Sequence, residues 1–404
     1  MSSGQLYVVR ARHANEEDNP ATLELSAEFF RAAQIQGMLL KQAKSGLDRM
    51  QPAAKNRLLG ALHQPGKTVV RCISRETRAQ GMSNAWLKGY ELYDFFDIHV
   101  LRAKGVFFNA ELPGSFLAAL NHWFAERDRS MIPWLASSLH PNCDSSALGD
   151  IYGLWKGNPD KWIMTKENAG DLRTVLGVRS IIKTVKDHNL EVEMYVADGG
   201  IEFDPDQEAA GARMQLGQVL CCLRLLNAGG MAIMKFYTYF HPWTSSMIAF
   251  LADNCFTNSY MVKPIMSRIT NSEVYFVGTG FLGCPRDELM RVMLGAFLQE
   301  RVPINMSCLA AELSSLQSET FDALYRIMFE IYGQQQRHLT RIIQAPPHGR
   351  LIPPVRWTRF GPRPIDPRHH LPQKEACQPC SQQFSHILPS EEGPTFPTEQ
   401  GRSR

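Results

Sequence analysis

Apolar residues along this chain recur at two spacings, and the places where one gives way to the other outline its elements. After Asn19-Pro20, a capping residue followed by proline at a first helical position, Leu23, Phe29, Phe30, Ala33, Met38 and Leu39 return at helical spacing. A second helical run over residues 81–95 carries Trp86, Leu87, Tyr90, Leu92 and Phe95 with Lys88 among them, just ahead of the short apolar strand Val106-Phe107-Phe108. From there strand and helix candidates alternate, with strands near Trp134 and over residues 192–197, 231–235, 260–263 and 274–278. The helix over 207–227 runs out at Ala228-Gly229-Gly230, a C-cap and turn leading into the next strand. Short crossovers of this kind predict an α/β fold with a parallel sheet and helices on both faces.

Four segments follow from this pattern: an N-terminal helical extension (1–80), the α/β core (81–285), a C-terminal helical region (286–344) and a tail (345–404). The tail holds 12 of the chain's 24 prolines and is expected to be disordered. Composition narrows the class only a little. With 43 basic and 40 acidic residues in 404, the net charge of +3 does not by itself mark a nucleic-acid binder. Nine cysteines, an odd number lying in apolar runs such as Leu220-Cys221-Cys222-Leu223, suit reduced thiols better than a disulfide framework. No signal-peptide core and no membrane-length apolar run is present, so a soluble, cytoplasmic protein without membrane contact is expected.

Candidate chemistry sits where strands end. The stretch Asn109-Ala110-Glu111-Leu112-Pro113-Gly114-Ser115 places small residues between a strand and a helix, where a ligand can approach the backbone or where the chain simply turns. Asp198, in Ala197-Asp198-Gly199-Gly200, ends an apolar strand and reads either as a carboxylate facing the crevice or as a turn residue. Lys235 closes the strand Met231-Ala232-Ile233-Met234 and needs either a buried partner or a path to solvent. Glu273 stands at the mouth of a strand after a polar loop that starts at Lys263-Pro264, and the loop's Ser, Thr and Asn also fit ordinary turn chemistry.

Together and in this order, these segments and Ser83-Asn84-Ala85-Trp86-Leu87-Lys88 resemble the FtsJ-like family of RNA ribose 2′-O-methyltransferases. The resemblance runs over about residues 80–285 and is most specific in Lys-Pro-x-x-Ser-Arg-x-x-x-Ser-Glu-Val-Tyr, from Lys263 to Tyr275. It implies a Rossmann-like, S-adenosylmethionine-dependent methyltransferase sheet with an antiparallel last strand. It also implies a catalytic tetrad of Lys88, Asp198, Lys235 and Glu273, and RNA as the partner. The Ala197-Asp198-Gly199-Gly200 turn is more similar to the cap enzymes, which makes the capped 5′ end of mRNA the preferred substrate over ribosomal or other structured RNA. Asn84-Ala85-Trp86-Leu87-Lys88, Glu111-Leu112-Pro113-Gly114 and Tyr152-Gly153-Leu154 resemble the viral branch of the family, found in large cytoplasmic DNA viruses such as African swine fever virus, which adds virion association as an alternative location.

By the same resemblance Pro113, Gly114, Ser115 and Asp198 are cofactor-binding candidates, and Asp171, after Asn168-Ala169-Gly170, is a partner for the adenosine. The position of the family's first-strand aspartate is Phe108 here and that of its second glycine is Ser115, leaving Glu111 as the candidate for the missing acidic character. This altered loop also motivates a second reading, a non-catalytic RNA-binding scaffold.

A lysine with an ordinary pKa of about 10.4 acts as a base near neutrality only if burial or a neighbouring cation lowers it. Lys235 is therefore the expected base, Lys88 the cation that tunes it, and the two carboxylates orienting acceptors. Three other signals stand outside this resemblance. Gly60 to Thr68 resembles a phosphate-binding loop, but with five residues between the glycines, and Val69-Val70 behind it reads as strand. Cys377-Gln378-Pro379-Cys380 with His369, His370 and His386 has the ligand types of a zinc site, yet stands in the proline-rich tail, and no metal is expected. Arginines from Arg337 to Arg368, interleaved with Trp357 and Phe360, suit single-stranded RNA or a solvated basic tail.

Overall fold

The computed structural model describes residues 5–11, 22–141, 147–164, 170–201, 206–268, 270–285, 288–301, 316, 318–344 and 362–374. Its centre is one eight-stranded sheet in the order β1-β7-β8-β6-β5-β2-β3-β4. The strands are β1 (Gln5–Ala11), β2 (Val106–Asn109), β3 (Trp134–Ser137), β4 (Trp162–Ile163), β5 (Met194–Ala197), β6 (Met231–Phe236), β7 (Phe256–Lys263) and β8 (Val274–Phe281). β4, β3, β2, β5 and β6 are parallel, whereas β8 runs antiparallel between β6 and β7. The fold is therefore α/β and Rossmann-like.

The helices are α1 (Thr22–Asp48), α2 (Pro52–Thr77), α3 (Asn84–Phe95), α4 (Asp97–Arg102), α5 (Ser115–Ala125), α6 (Leu154–Gly157), α7 (Val175–Asp187), α8 (Gln207–Leu225), α9 (Pro242–Phe250), α10 (Glu288–Leu298), α11 (Ser318–Met328) and α12 (Gln334–Gln344). Alternation along the strands divides the core in two. Phe107, Tyr195, Ala197, Ala232 and Met234 pack with α7, α8 and the terminal helices. Val106, Phe108, Met194, Val196, Ile233 and Tyr275 pack with α3 and α5 on the other face. Both faces being covered explains why these strands read as continuous apolar runs.

Register sets the working edge. Asn109 lies level with Ala197, and Ala197 with Met234, so the residues just beyond them (Ala110, Asp198 and Lys235) emerge side by side at the carboxyl ends of three parallel strands.

Four expectations need correction. Residues 5–11 are not helical: they form β1, which covers the edge of β7 from Gln5 opposite Lys263 to Ala11 opposite Asn258. Val69 and Val70 are helical residues of α2, which runs without a break from Pro52 to Thr77, so there is no phosphate-binding loop at Gly60–Thr68. Tertiary packing of Leu58, Leu62 and Ile73 overrides the strand preference of the valine pair. In α1 the buried stripe is Phe29, Phe30, Ala33, Leu40, Ala43 and Leu47, and Met38 and Leu39 lie off it, at 63% and 39% exposed.

The fourth correction concerns the tail, whose residues 362–374 are ordered against the core. The Gln80 side chain donates to the carbonyl of Leu371 and accepts from its amide, Asn121 donates to the carbonyl of His369, and Asn158 to that of Pro372. Backbone groups satisfied by buried side chains hold a segment that composition alone assigns to disorder. Cys377, Cys380 and His386 of the zinc reading, together with Asn168 and the Asn19-Pro20 cap, lie outside the described residues.

Candidate active site

Each tetrad residue is delivered by a different local device. Ser83 accepts the amide of Trp86 at 3.0 Å and starts α3, which buries Lys88 against the sheet. Asp198 and Lys235 stand one residue beyond the matched ends of β5 and β6 pairing, and Lys235 is opposite Tyr275 of β8. Glu273 ends the loop between β7 and β8. Lys263 fastens that loop by donating to the carbonyls of Asn271 (2.8 Å) and Glu273 (2.6 Å), and the Glu273 amide donates to the Asn271 side chain. The terminal helices reach the same loop: Lys44 of α1 donates to Ser272 Oγ at 2.8 Å, and Ser272 Oγ donates to Gln335 of α12 at 3.0 Å.

These devices bring the four side chains into one cluster of two ion pairs. Lys88 Nζ lies 2.9 Å from Glu273 Oε2, and Lys235 Nζ 3.2 Å from Asp198 Oδ1. Tyr275 links them, donating its hydroxyl to Asp198 Oδ1 at 2.7 Å while Lys88 Nζ lies 5.7 Å from its ring centre. Burial would push the Glu273 carboxyl up, but Lys88, Lys235 and Lys263 outweigh it and hold the group down at about 2. Both Lys88 and Lys235 thus act on the same Glu273 carboxylate.

Lys235 departs from the sequence-based expectation. Burial does lower its proton affinity, but Asp198, Tyr237 and Glu273 act the other way and win, so the ammonium is held above the usual lysine range. The lysine with lowered affinity is instead Lys263, brought down to about 7 by burial, against the pull of Glu273 and with Lys88 and Lys44 as like charges nearby.

Of the candidate cofactor residues, Pro113, Gly114 and Ser115 lie in the turn after β2. Gly114 has φ +102°, and a Cβ there would come within 2.5 Å of Leu154 Cδ1, so the turn requires glycine. Ser115 Oγ lies 2.9 Å from Ser83 Oγ, tying this turn to the start of the helix that carries Lys88. Glu111 points inward. Its carboxylate accepts the amide of Leu117 at 2.9 Å in the first turn of α5, and burial and nearby Asp198 raise its proton affinity well above the carboxylate range. Phe108 is fully buried among apolar side chains. Asp171 follows β4 and accepts from the guanidinium of Arg173 at 2.9 and 3.0 Å, so its oxygens are shared with that partner.

This donor set fits a sulfonium nucleoside in its main features: a close-approach turn after β2 and a carboxylate at the end of the neighbouring parallel strand β5. Gly200 makes room as well, since a Cβ there would lie 2.8 Å from Lys235 Nζ. Sequence reasoning missed Tyr275, Lys263, Lys44 and Gln335. Tyr275 carried a signal, because a residue two positions beyond Glu273 on a strand shares its face; Lys44 and Gln335 carried none.

Comparison with known proteins gives this arrangement a lineage. The sequence profile of the FtsJ-like methyltransferase family matches residues 82–281, the segment that holds all four tetrad residues. The probable methyltransferase EP424R of African swine fever virus is 31% identical over 352 residues, covering 82% of this chain and 80% of that protein. Cap-specific mRNA (nucleoside-2′-O-)-methyltransferase 2 of Drosophila melanogaster is 27% identical over 275 residues, 64% of this chain and 38% of that protein. Cap-specific mRNA (nucleoside-2′-O-)-methyltransferase 1 of Trypanosoma brucei is 26% identical over 231 residues, 54% and 58% of the respective chains. Among the described residues no helix is long and apolar enough to cross a membrane. With a profile match over residues 82–281 and a viral methyltransferase aligned along most of its length, the chain belongs to the FtsJ-like methyltransferase family.

Proposed function

We propose that this methyltransferase transfers the methyl group of S-adenosylmethionine to a ribose 2′-hydroxyl at the capped 5′ end of mRNA. One observation carries the chemistry: two buried ion pairs, Lys88–Glu273 and Lys235–Asp198, meet around Tyr275 at the carboxyl edge of the sheet. Capped RNA is preferred because two of the relatives above carry cap-specific names.

S-adenosylmethionine, when bound, supplies an electrophilic methyl group and a fixed positive charge. Pro113, Gly114, Ser115 and Asp198 would hold it, with Asp171 on the adenosine side. In the resting chain Lys235 is an ammonium, and it orients the ribose hydroxyl by donating to its oxygen while Asp198 and Tyr275 hold the Nζ in place. Turnover requires the hydroxyl proton to leave. Lys235 accepts it in its amine form, a form favoured by additional positive charge in the site and opposed by Asp198. Lys88, neutralised by Glu273, walls the other side of the hydroxyl and keeps water from the Nζ.

The test is methyl transfer from labelled S-adenosylmethionine to RNAs of one sequence, with and without a cap. Incorporation at a 2′-oxygen of capped RNA only is expected. Equal transfer to uncapped RNA would move the assignment to structured RNA, and absence of both transfer and cofactor binding by calorimetry would leave the scaffold reading.

A further inference from the structure

Beside the tetrad lies a cavity of 770 Å³ whose lining is divided by chemistry. One side carries Lys67, Arg71 and Arg75 from a single stripe of α2, four residues apart and so on one helical face, and Arg268 from the loop that also bears Glu273. All four are exposed. Lys67 and Arg268 both act on His63, whose proton affinity is lowered first by burial and then by these two cations. The other side offers Tyr152 with the exposed apolar side chains of Leu148 and Ile151, at 44% and 38%. The floor is Ser83, Asn84, Pro113 and Ser115, the start of the Lys88 helix and the cofactor turn.

Four cations gathered without an acidic residue among the described lining residues repel one another and call for an anion of matching charge. A single-stranded RNA passing through spreads one negative charge per nucleotide along its length. A polyphosphate brings several charges into the same space. The apolar wall with Tyr152 suits a base attached to it. We infer that this cavity binds the 5′-terminal polyphosphate of the substrate RNA, with Lys67, Arg71, Arg75 and Arg268 on the phosphates and Tyr152, Leu148 and Ile151 against the adjoining base. Three of these cations lie on α2, outside the segment that matches the family profile, so the N-terminal extension supplies the grip on the RNA end. This inference rests on the RNA reading above and deepens it.

The probe is inorganic tripolyphosphate, titrated calorimetrically into the full chain and into the R71E/R75E double variant, with R71K/R75K as the charge-conserving control. The charge-reversed protein should bind it about tenfold more weakly, and the control within about twofold of the parent. In direct binding titrations, Kd for RNA bearing a capped or free 5′ triphosphate should rise about tenfold in the charge-reversed variant, and Kd for the same RNA with a 5′ hydroxyl less than twofold. An equal rise for all three RNAs would overturn the assignment in favour of internal phosphates, as would a parent protein that does not bind tripolyphosphate. A chain that methylates no RNA yet binds tripolyphosphate through these arginines would refute the proposed function and leave the anion site standing.

Discussion

Lys235 and Asp198 reach the site from neighbouring parallel strands, each one step beyond a shared register, whereas Lys88 and Glu273 reach it from a helix and a hairpin loop that share no ladder. The first pair is positioned by the sheet itself, and its geometry follows from backbone hydrogen bonds within the family core. The second depends on contacts from far along the chain: Lys263 on the loop carbonyls, and Lys44 and Gln335 on Ser272. The proposed chemistry is thus concentrated in a pair set by the sheet, and its alignment is delegated to a pair that the terminal extensions brace.

The largest effect should come from the rigid pair. Replacing Lys235 with Ala removes the proposed acceptor of the hydroxyl proton, and kcat should fall by about a thousandfold, with the melting temperature little changed. Because Lys235 is held above the usual lysine range, its amine form is scarce at neutral pH. Its deprotonated fraction grows as pH rises, so kcat in the parent should climb about tenfold per pH unit from 7 towards 9. A flat profile, or substantial transfer by the Ala variant, would mean that the proton leaves by another route and that the two pairs have been ranked wrongly.

Sequence made the rigid pair legible and the other only in outline. Apolar runs ending in Asp198 and Lys235 are a local signal, since strands buried on both faces show where they stop. The alignment of Lys88 with Glu273 depends on a fold-wide register that no local window contains. The supports are harder still: Lys44 sits on a helix whose apolar stripe explains its neighbours without it, and Gln335 is a polar residue on the buried face of α12 beside Leu339 and Ile342, with nothing local to name its partner. The same limit explains β1, seven residues that become a strand because β7 offers an open edge, and residues 362–374, whose order comes from Gln80, Asn121 and Asn158. Valines 69 and 70 show the converse, a local preference overruled by packing.

Tyr275 is where the two pairs meet, and removing its hydroxyl probes the link without emptying the core. In Tyr275→Phe the 2.7 Å bond to Asp198 is lost while the ring beside Lys88 stays. A buried bond to a charged acceptor contributes roughly 1.5–3 kcal/mol. Part of that should appear as about a tenfold loss in kcat with KM for RNA unchanged. A loss confined to KM would instead place the tyrosine in substrate binding and uncouple the pairs.

The smallest expected effect tests whether the extensions act on the chemistry at all. Lys44→Met keeps the length and apolar stem of the side chain but removes the donor to Ser272 Oγ and one of the like charges near Lys263. Two consequences follow with opposite visibility. The loop carrying Glu273 loses one of its anchors, and kcat should drop about threefold to fivefold, equivalent to about 1 kcal/mol or slightly less. At the same time Lys263, now at about 7, should titrate at higher pH, because a cation that disfavoured its charge has gone. The second readout separates alignment from mere stability: a variant that only loosens the fold would lower the melting temperature without moving the Lys263 titration, which NMR of the side-chain ε-methylene reports directly. If the titration moves and kcat does not, the terminal helices brace the loop without governing Glu273, and the contrast between a rigid and a delegated pair fails at its weaker side.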